Sequence, residues 1–180
     1  MSQFEEKTMK TEEIFDGKII KVQVDDVLLP NGKTSKRELV KHPGAVAVIP
    51  VLPDGRIVFV KQYRKPLERE LIEIPAGKIE ADEPAHITAV RELEEEIGYT
   101  TEALRHVRTF ATSPGFADEE IHLYYTNEMV KLDEAPALDE DEFVEVMTLT
   151  LEEAQAYVDQ GLITDLKTIY AIAYLQLQGS

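Results

Sequence analysis

The chain is most constrained between residues 77 and 99, where the sequence contains one helix with its own start and stop signals. Asp82, Glu83 and Pro84 are typical of the start of a helix. Gly98 ends the helix, because glycine takes the left-handed conformation that follows a helix without steric cost. The sequence therefore predicts a helix at this position.

This helix has two faces, since successive residues turn by about 100° around its axis. The apolar face, which can pack on a core, consists of Val90, Leu93 and Ile97. The acidic face consists of Glu92, Glu95 and Glu96. The helix is therefore expected to pack on one side and to present carboxylates on the other.

The acidic face is unfavourable as written. Glu92 and Glu96 lie one turn apart, where like charges repel by about 0.2–0.5 kcal/mol. They also lie at the negative end of the helix dipole. Arg91 can offset the charge of Glu95, and the other carboxylates are expected to lack a local partner. A hard divalent cation would remove both penalties, and the alternative is a solvated acidic face.

The spacing of these residues matches a known motif. The matching positions are Gly77, Glu83, Arg91, Glu92, Leu93, Glu95, Glu96 and Gly98. The stretch therefore resembles the box of the Nudix hydrolases, enzymes that cleave a nucleoside diphosphate linked to another moiety. Tyr99 departs from the pattern, because the last position of the box is usually aliphatic.

The N-terminal part predicts an antiparallel ribbon. Residues 14–29 and 33–41 carry β-branched and alternating apolar residues on either side of Asn31-Gly32, a strong hairpin signal. Residues 1–13 are polar and are expected to be frayed. Such a ribbon is too small to bury both faces alone, so it is expected to pack on the main domain or on a second subunit.

The rest of the chain predicts an α/β fold. Residues 45–52 and 56–63 are nearly continuous apolar runs and predict a buried hairpin. A strand-rich part, the box helix, a second strand-rich part and two helices follow one another, and the resemblance implies a Nudix-type α/β/α sandwich around a mixed β-sheet. We expect an N-terminal β ribbon for dimerisation at 1–43 and a Nudix domain at 44–180, with the box at 77–99.

The two closing helices have clear signals. Thr150 and Glu153 form the pattern of a capping box, and Gly161 can end that helix. Residues 165–177 are amphipathic and predict the last helix.

Composition restricts the partners. The net charge of −16 argues against nucleic acid and anionic membranes. No apolar run reaches the roughly 18 residues of a membrane span, and the N-terminus lacks the features of a signal peptide. The chain has no cysteine, as is common in a reducing compartment. We therefore expect a cytoplasmic protein.

The Nudix resemblance implies a divalent metal site. Gly77 lets the backbone approach a ligand and leaves the carbonyl of the preceding residue available to a cation. The expected metal ligands are Ala76, through its carbonyl, with Glu92, Glu95 and Glu96. They would hold two to three Mg²⁺ ions, for which Mn²⁺ is a possible substitute.

The resemblance also implies supporting and catalytic groups. Arg91 is expected to orient the acidic cluster by an ion pair, and Glu83 to be a partner of Arg91 or of water at the metal. Related enzymes take the catalytic base from a loop in the C-terminal third. Glu142 and then Glu140 are the candidates in the acidic run of residues 139–142, which as an alternative is only a solvated loop.

The flanking sequence resembles the ADP-ribose pyrophosphatase subfamily. Pro114 lies sixteen residues after Gly98, and the ribbon resembles the same subfamily. The resemblance implies a homodimer that hydrolyses ADP-ribose to AMP and ribose 5-phosphate. The implied substrate contacts are Arg37, Arg64, Glu73, Pro114 and Gly115; for each arginine a surface ion pair is the alternative.

Two other functions stay open. The substrate can be another nucleoside-diphosphate sugar or a dinucleotide, because the box does not select the group beyond the diphosphate. A non-catalytic Nudix module that senses such a ligand is the second alternative. The presence of Arg91, Glu92, Glu95 and Glu96 argues against it, since a module that only binds does not need the full ligand set.

Overall fold

The computed structural model describes residues 2–137 and 143–179 and confirms the mixed α/β class. Within these residues the strands are β1 (Lys7–Asp16), β2 (Lys21–Leu28), β3 (Thr34–Lys41), β4 (Ala45–Pro50), β5 (Ile57–Arg64), β6 (Arg69–Glu73), β7 (Ala76–Lys78), β8 (Tyr99–Thr100), β9 (Arg105–Ala111), β10 (Glu120–Thr126), β11 (Val130–Lys131) and β12 (Glu145–Leu149). The helices are α1 (Ala85–Ile97), α2 (Leu151–Asp159) and α3 (Leu166–Gln178), with a short 3₁₀ helix at Lys65–Leu67.

The chain packs as two compact units. The first consists of Met1–Gly44 and Thr109–Ile121, and the second of Ala45–Arg108 and His122–Ser180. Strands β1, β2 and β3 form a sheet in that order, and the other sheets have the orders β7-β4-β10-β9, β12-β5-β6 and β11-β8. Over the described parts of the chain, the helices are too short or too polar to cross a bilayer.

The N-terminal sheet confirms one prediction and corrects another. Asn31-Gly32 lies in the turn between β2 and β3, with Gly32 at φ 80°, so the hairpin is confirmed. The expectation that residues 1–13 are frayed is wrong from Lys7 onward, because β1 pairs with β2 as far as Asp16. All residues of β1 are exposed, so backbone pairing holds this strand, and a polar sequence gives no sign of such pairing.

Strands β4 and β5 lie in the core of the second unit, but they do not form the predicted hairpin ladder. The turn exists, since Leu52 N–H donates to the carbonyl of Arg56 at 2.8 Å and one bridge joins Val51 to Ile57. Beyond it, β4 pairs in the sheet of β7 and β10, whereas β5 pairs with β6 and β12. Because β4 is buried along its whole length, the sequence has no polar alternation that would specify a partner.

Helix α1 begins at the end of its predicted start signal. Asp82 has φ 65°, which belongs to a turn, and Pro84 immediately precedes the first helical residue, Ala85. Proline suits this place because it has no N–H group that would need a partner.

Helices α2 and α3 begin with side-chain caps. At α2 the predicted capping box is confirmed, because Glu153 N–H donates to Thr150 Oγ1 at 3.1 Å and Thr150 N–H donates to Glu153 Oε2 at 2.8 Å. At α3, the Asp165 carboxylate accepts from Thr168 N–H at 3.0 Å. Thr168 Oγ1 also accepts from Ile74 N–H at 2.9 Å. The first turn of α3 is therefore fixed to the end of β6.

Candidate active site

Helix α1 holds the acidic residues of the box at the edge of the core. Gly98 ends the helix at φ 71°, as predicted, and Leu93 and Ile97 are buried against the core of the second unit. Glu92 and Glu96 are each only 7% exposed, so the alternative of a solvated face is wrong for these two side chains. Burial of two carboxylates, with Glu96 at the negative end of the helix, costs free energy unless other groups compensate.

Arg91 compensates part of the charge of the acidic residues. Its Nη1 donates to Glu92 Oε1 at 2.9 Å and to Glu95 Oε2 at 2.8 Å. Its Nη2 donates to Glu83 Oε2 at 3.2 Å. The expectation that the carboxylates other than Glu95 lack a local partner is therefore wrong, because one guanidinium reaches three of them. Of the two partners expected for Glu83, the structure shows Arg91.

These contacts also determine the charge states of Arg91 and Glu83. Burial disfavours the charged form of Arg91, but the hydrogen bond to Glu83 and the charges of Glu92 and Glu95 outweigh it and raise the pKa of Arg91 above its ordinary value. The hydrogen bond from Arg91 lowers the pKa of Glu83. Glu83 and Arg91 are therefore an ion pair at neutral pH.

The backbone at Ala76 and Gly77 lies against the same carboxylates. Ala76 N–H donates to Glu96 Oε2 at 3.0 Å. A Cβ atom added to Gly77 would lie 1.9 Å from Glu92 Oε1, well inside van der Waals contact. Glycine is required here because the Glu92 carboxylate occupies the space of a side chain. The sequence predicted a close approach at Gly77, and the group that approaches is a glutamate of the box.

A second charged group lies in the same unit and contains two predicted substrate residues. Arg64 Nε and Nη2 donate to Glu73 Oε1 and Oε2 at 2.7 and 2.8 Å. Lys167 Nζ also donates to Glu73 Oε2. Burial alone would raise the pKa of Glu73, but Arg64 and Lys167 lower it to about 2. Glu73 is 2% exposed and is therefore a buried carboxylate that holds two cations.

The other predicted substrate residues lie in the first unit. Arg37 forms a two-pronged ion pair with Glu6, at 2.7 and 2.6 Å. Pro114 and Gly115 are exposed in a turn that follows Ser113. The structure thus groups Arg37, Pro114 and Gly115 in one unit, and the acidic cluster with Arg64 and Glu73 in the other. Their roles in substrate binding stay predictions.

Three residues of the C-terminal part remain, two of them predicted as catalytic candidates and one not predicted. Glu140 and Glu142, the candidates for the base, lie outside the described residues. Sequence reasoning missed Lys167, which is 8% exposed in α3. A signal was present, because Lys167 lies four residues before Ala171 and so shares the buried face of an amphipathic helix.

Comparison with known proteins agrees with this geometry. Residues 41–169 match the NUDIX domain, and residues 6–40 match the nucleoside diphosphate sugar hydrolase N-terminal domain. A Bacillus methanolicus protein named methanol dehydrogenase activator is 59% identical over 97% of this chain and 95% of that protein. The ADP-ribose pyrophosphatase of Bacillus subtilis (strain 168) is 57% identical over 99% of this chain and 96% of that protein.

The solved structures first define the class of fold. A crystal structure described as ADP compounds hydrolase superposes with a TM-score of 0.85 at 18% identity, over 99% of this chain and 98% of that chain, so the predicted fold is confirmed. The domain match and the near-full-length relatives then define the family. The chain belongs to the Nudix hydrolases. Enzymes of this family generally depend on divalent metal ions.

The donor chemistry of the cluster fits such an ion. Glu92 and Glu96 are buried carboxylates, and Gly77 leaves the space that Glu92 occupies. Hard divalent cations prefer such oxygen ligands. Among the described residues, no three His, Asp or Glu side chains are arranged so that they could hold one metal ion. Arg91 lies among the carboxylates instead, and Glu96 accepts from Ala76.

Proposed function

We propose that this protein hydrolyses the diphosphate bond of ADP-ribose to AMP and ribose 5-phosphate, with Mg²⁺. The observation that carries the proposal is the burial of Glu92 and Glu96 on α1, with Glu92 against Gly77, which leaves room for it, and Glu96 bonded to Ala76 N–H in the last turn. A carboxylate pair held at this cost is suited to binding cations. The likeness to a protein named ADP-ribose pyrophosphatase supports the choice of substrate.

Each residue of the cluster has a proposed task. Glu92 and Glu96, with Glu95 and the Ala76 carbonyl, would hold two to three Mg²⁺ ions, for which Mn²⁺ is a possible substitute. When bound, the ions would neutralise the diphosphate and make the attacking water more acidic. Arg91 keeps the carboxylates side by side through its bonds to Glu92 and Glu95. A chain of net charge −16 needs such neutralisation to accept an anionic substrate.

The remaining groups would bind substrate and move the proton. Arg64 has N–H donors beyond the two that it gives to Glu73, and these suit a phosphate or ribose oxygen. Arg37, Pro114 and Gly115 are proposed as further substrate contacts. Glu142 is proposed as the base, with Glu140 as the second choice, since a carboxylate that takes the proton of the attacking water contributes about 10²–10⁴-fold.

A substrate panel tests this proposal. ADP-ribose, other nucleoside-diphosphate sugars, dinucleotides and nucleoside triphosphates are incubated with the protein in Mg²⁺ and in excess chelator, and the products are separated. The expected result is AMP and ribose 5-phosphate from ADP-ribose, and none with chelator. Preference for another diphosphate would replace the substrate, and binding without turnover would favour a sensing module.

Metal binding is tested separately from turnover. Calorimetry with MgCl₂ is expected to show ion uptake by the wild type and much less by a Glu92→Gln, Glu96→Gln double variant. Both changes keep the size of the side chains, so thermal unfolding should show that the variant is folded. Equal uptake by the two proteins would contradict the assignment of these ligands.

The activator of Bacillus methanolicus supports a second candidate function. Its identity of 59% over nearly the whole chain is as high as that of the pyrophosphatase. This protein would then raise the activity of a methanol dehydrogenase. A purified methanol dehydrogenase is assayed with and without this protein and Mg²⁺, and no change in methanol oxidation would exclude this role for the enzyme tested.

We also propose a cytoplasmic homodimer, with residues 1–43 as the dimerisation ribbon and residues 44–180 as the hydrolase domain. Exposed apolar side chains on and beside β1, including Met9, Ile14 and Phe15, support a second copy as the partner of this sheet. Sedimentation is expected to give the mass of a dimer for the wild type and of a monomer for Met9→Lys, Ile14→Lys. A monomeric wild type would contradict the dimer.

A further inference from the structure

A buried carboxylate joins the neighbouring strands β5 and β6 to α3, which is distant from them in the sequence. Glu73, at the end of β6, accepts two hydrogen bonds from Arg64 of β5, at 2.7 and 2.8 Å. Its Oε2 also accepts from Lys167 of α3. Lys167 Nζ lies 3.1 Å from Asp165 Oδ2. Two cations and two carboxylates thus form one compensated group.

Hydrogen bonds fix the first turn of α3, which carries Lys167, in place. Asp165 caps α3, and Thr168 Oγ1 accepts from Ile74 N–H at 2.9 Å, one residue after Glu73. Lys167 lies between these two anchors in the first turn of α3 and is 8% exposed. Its ammonium group therefore meets Glu73 from a fixed direction and leaves the carboxylate little freedom to rotate.

The Arg64 guanidinium is held by one edge. Nε and Nη2 bond to Glu73, and these use two of the five N–H donors of a guanidinium. The side chain is 38% exposed, whereas that of Glu73 is 2% exposed, so the opposite edge of Arg64 faces the surface. Ala76, three residues after Glu73, donates its N–H to Glu96 Oε2 at 3.0 Å, so the backbone connects this charged group to the metal-ligand cluster.

We propose that Lys167 is a positioning residue: by fixing the Glu73 carboxylate, it aims the outer edge of Arg64 at the diphosphate of the substrate. This inference rests on the proposed function. Lys167 itself touches Glu73 and Asp165 and acts on the substrate only through Arg64. Glu73, expected from the sequence to contact the substrate, then acts from behind Arg64.

Lys167 also contributes to stability. Apolar side chains can often replace a whole buried ion pair without loss of stability, whereas removal of one partner leaves a buried charge and is costly. Arg64 alone already gives Glu73 a cation in two-pronged geometry. Lys167 balances the second carboxylate of this group and, through its bond to Glu73, also fixes the direction of the Glu73 carboxylate.

The orientation of Arg64 can be measured without any substrate. In a proton–nitrogen correlation spectrum, the Arg64 Nε–H signal is identified by its loss in Arg64→Lys. We expect a shifted, slowly exchanging signal in the wild type and in Lys167→Arg, and a signal that moves towards that of free arginine and exchanges faster in Lys167→Met. The Arg91 Nε–H signal should stay unchanged, and an unchanged Arg64 signal in Lys167→Met overturns the proposal.

Kinetics then tests whether the position matters. For ADP-ribose, Lys167→Met is expected to raise KM about tenfold, as when one charge-assisted bond to substrate weakens, with kcat changed by less than about twofold. Lys167→Arg should restore KM. Added to Arg64→Gln, Lys167→Met should have no further effect, because both act through Arg64. Additive effects on KM would overturn the proposal.

A control variant distinguishes the proposed role of Lys167 from a general loss of stability, and one further outcome tests the proposed function independently. Lys61→Met removes a lysine of β5, the strand that carries Arg64. Lys61 pairs with Glu145 at 2.6 Å, and its loss should leave KM unchanged. If Lys167→Met does not fold, Lys167→Gln replaces it. A wild type that does not hydrolyse ADP-ribose contradicts the proposed function, and the Arg64 signal still decides whether Lys167 positions that side chain.

Discussion

Gly77→Ala is expected to abolish most of the activity and to leave the fold almost as stable. The added methyl carbon would lie 1.9 Å from Oε1 and 2.0 Å from Cδ of Glu92. Ordinary contact needs about 3.4 Å, so the Glu92 carboxylate must move away by about 1.5 Å. Because Gly77 does not have the positive φ of Gly98, alanine brings no backbone strain there.

The magnitude follows from this displacement. A shift of about 1 Å in a catalytic site can cost about 10²-fold in rate, so kcat/KM should fall at least about 100-fold. The clash falls on the end of a flexible side chain, and an unfavourable rotamer of Glu92 costs about 0.5–1.5 kcal/mol. For a chain of this length, that cost lowers Tm by roughly 1–6 °C.

The assay compares kcat/KM for the best substrate of the panel, Mg²⁺ uptake by calorimetry and Tm by scanning calorimetry. Gly179→Ala is the matched control, because its Cβ would lie at an ordinary 3.8 Å from the Leu175 carbonyl. If the clash acts through Glu92, Gly77→Ala added to Glu92→Gln should lower the activity no further. If kcat/KM of Gly77→Ala is within about threefold of that of the wild type, the proposed displacement of Glu92 is refuted.

Three further outcomes follow from the structure and the proposed chemistry. The pKa of Glu73 is lowered from 4.5 to about 2, so its ionisation stabilises the fold fully above pH 4.5 and this stabilisation is lost as the pH falls towards 2. The lost part amounts to about 3 kcal/mol, and Glu73→Gln should make the acid limb of stability against pH shallower; an unchanged limb would contradict the lowered pKa. Glu142→Gln should lower kcat at least about tenfold with KM little changed, and if only Glu140→Gln does so, the base is Glu140. Thr150→Ala should cost about 1 kcal/mol in urea unfolding through loss of the capping box, whereas Thr150→Ser should cost much less; equal losses would show that the hydroxyl is not the cause.

Much of the site was predictable because it is local. Arg91 and Glu95 lie four residues apart on one helix, which places the guanidinium beside that carboxylate, and Gly98 marks the end of that helix. The capping box at Thr150 is equally local, since its partner is only three residues away. Each of these features depends on backbone geometry within one or two turns.

The errors have a common origin. The strand β1 was missed because its partner, β2, supplies backbone groups that leave no mark on a polar sequence. The ladder between β4 and β5 was predicted wrongly because strands buried on both faces carry no alternation. The partner of Glu92 was missed because it is the adjacent residue, Arg91, and adjacent residues on a helix do not normally face each other. The partner of Glu96 was missed because it is the backbone N–H of Ala76, which lies outside the helix.

The sequence by itself determined the helix of the box, the order of its charges and the family to which these residues belong. The tertiary structure alone decided that Glu92 and Glu96 are buried against Ala76 and Gly77, and that Glu73 holds one cation from β5 and another from α3. The physical reason is distance along the chain. Periodicity records how neighbours are arranged, whereas contacts between remote segments form only when the core brings them together.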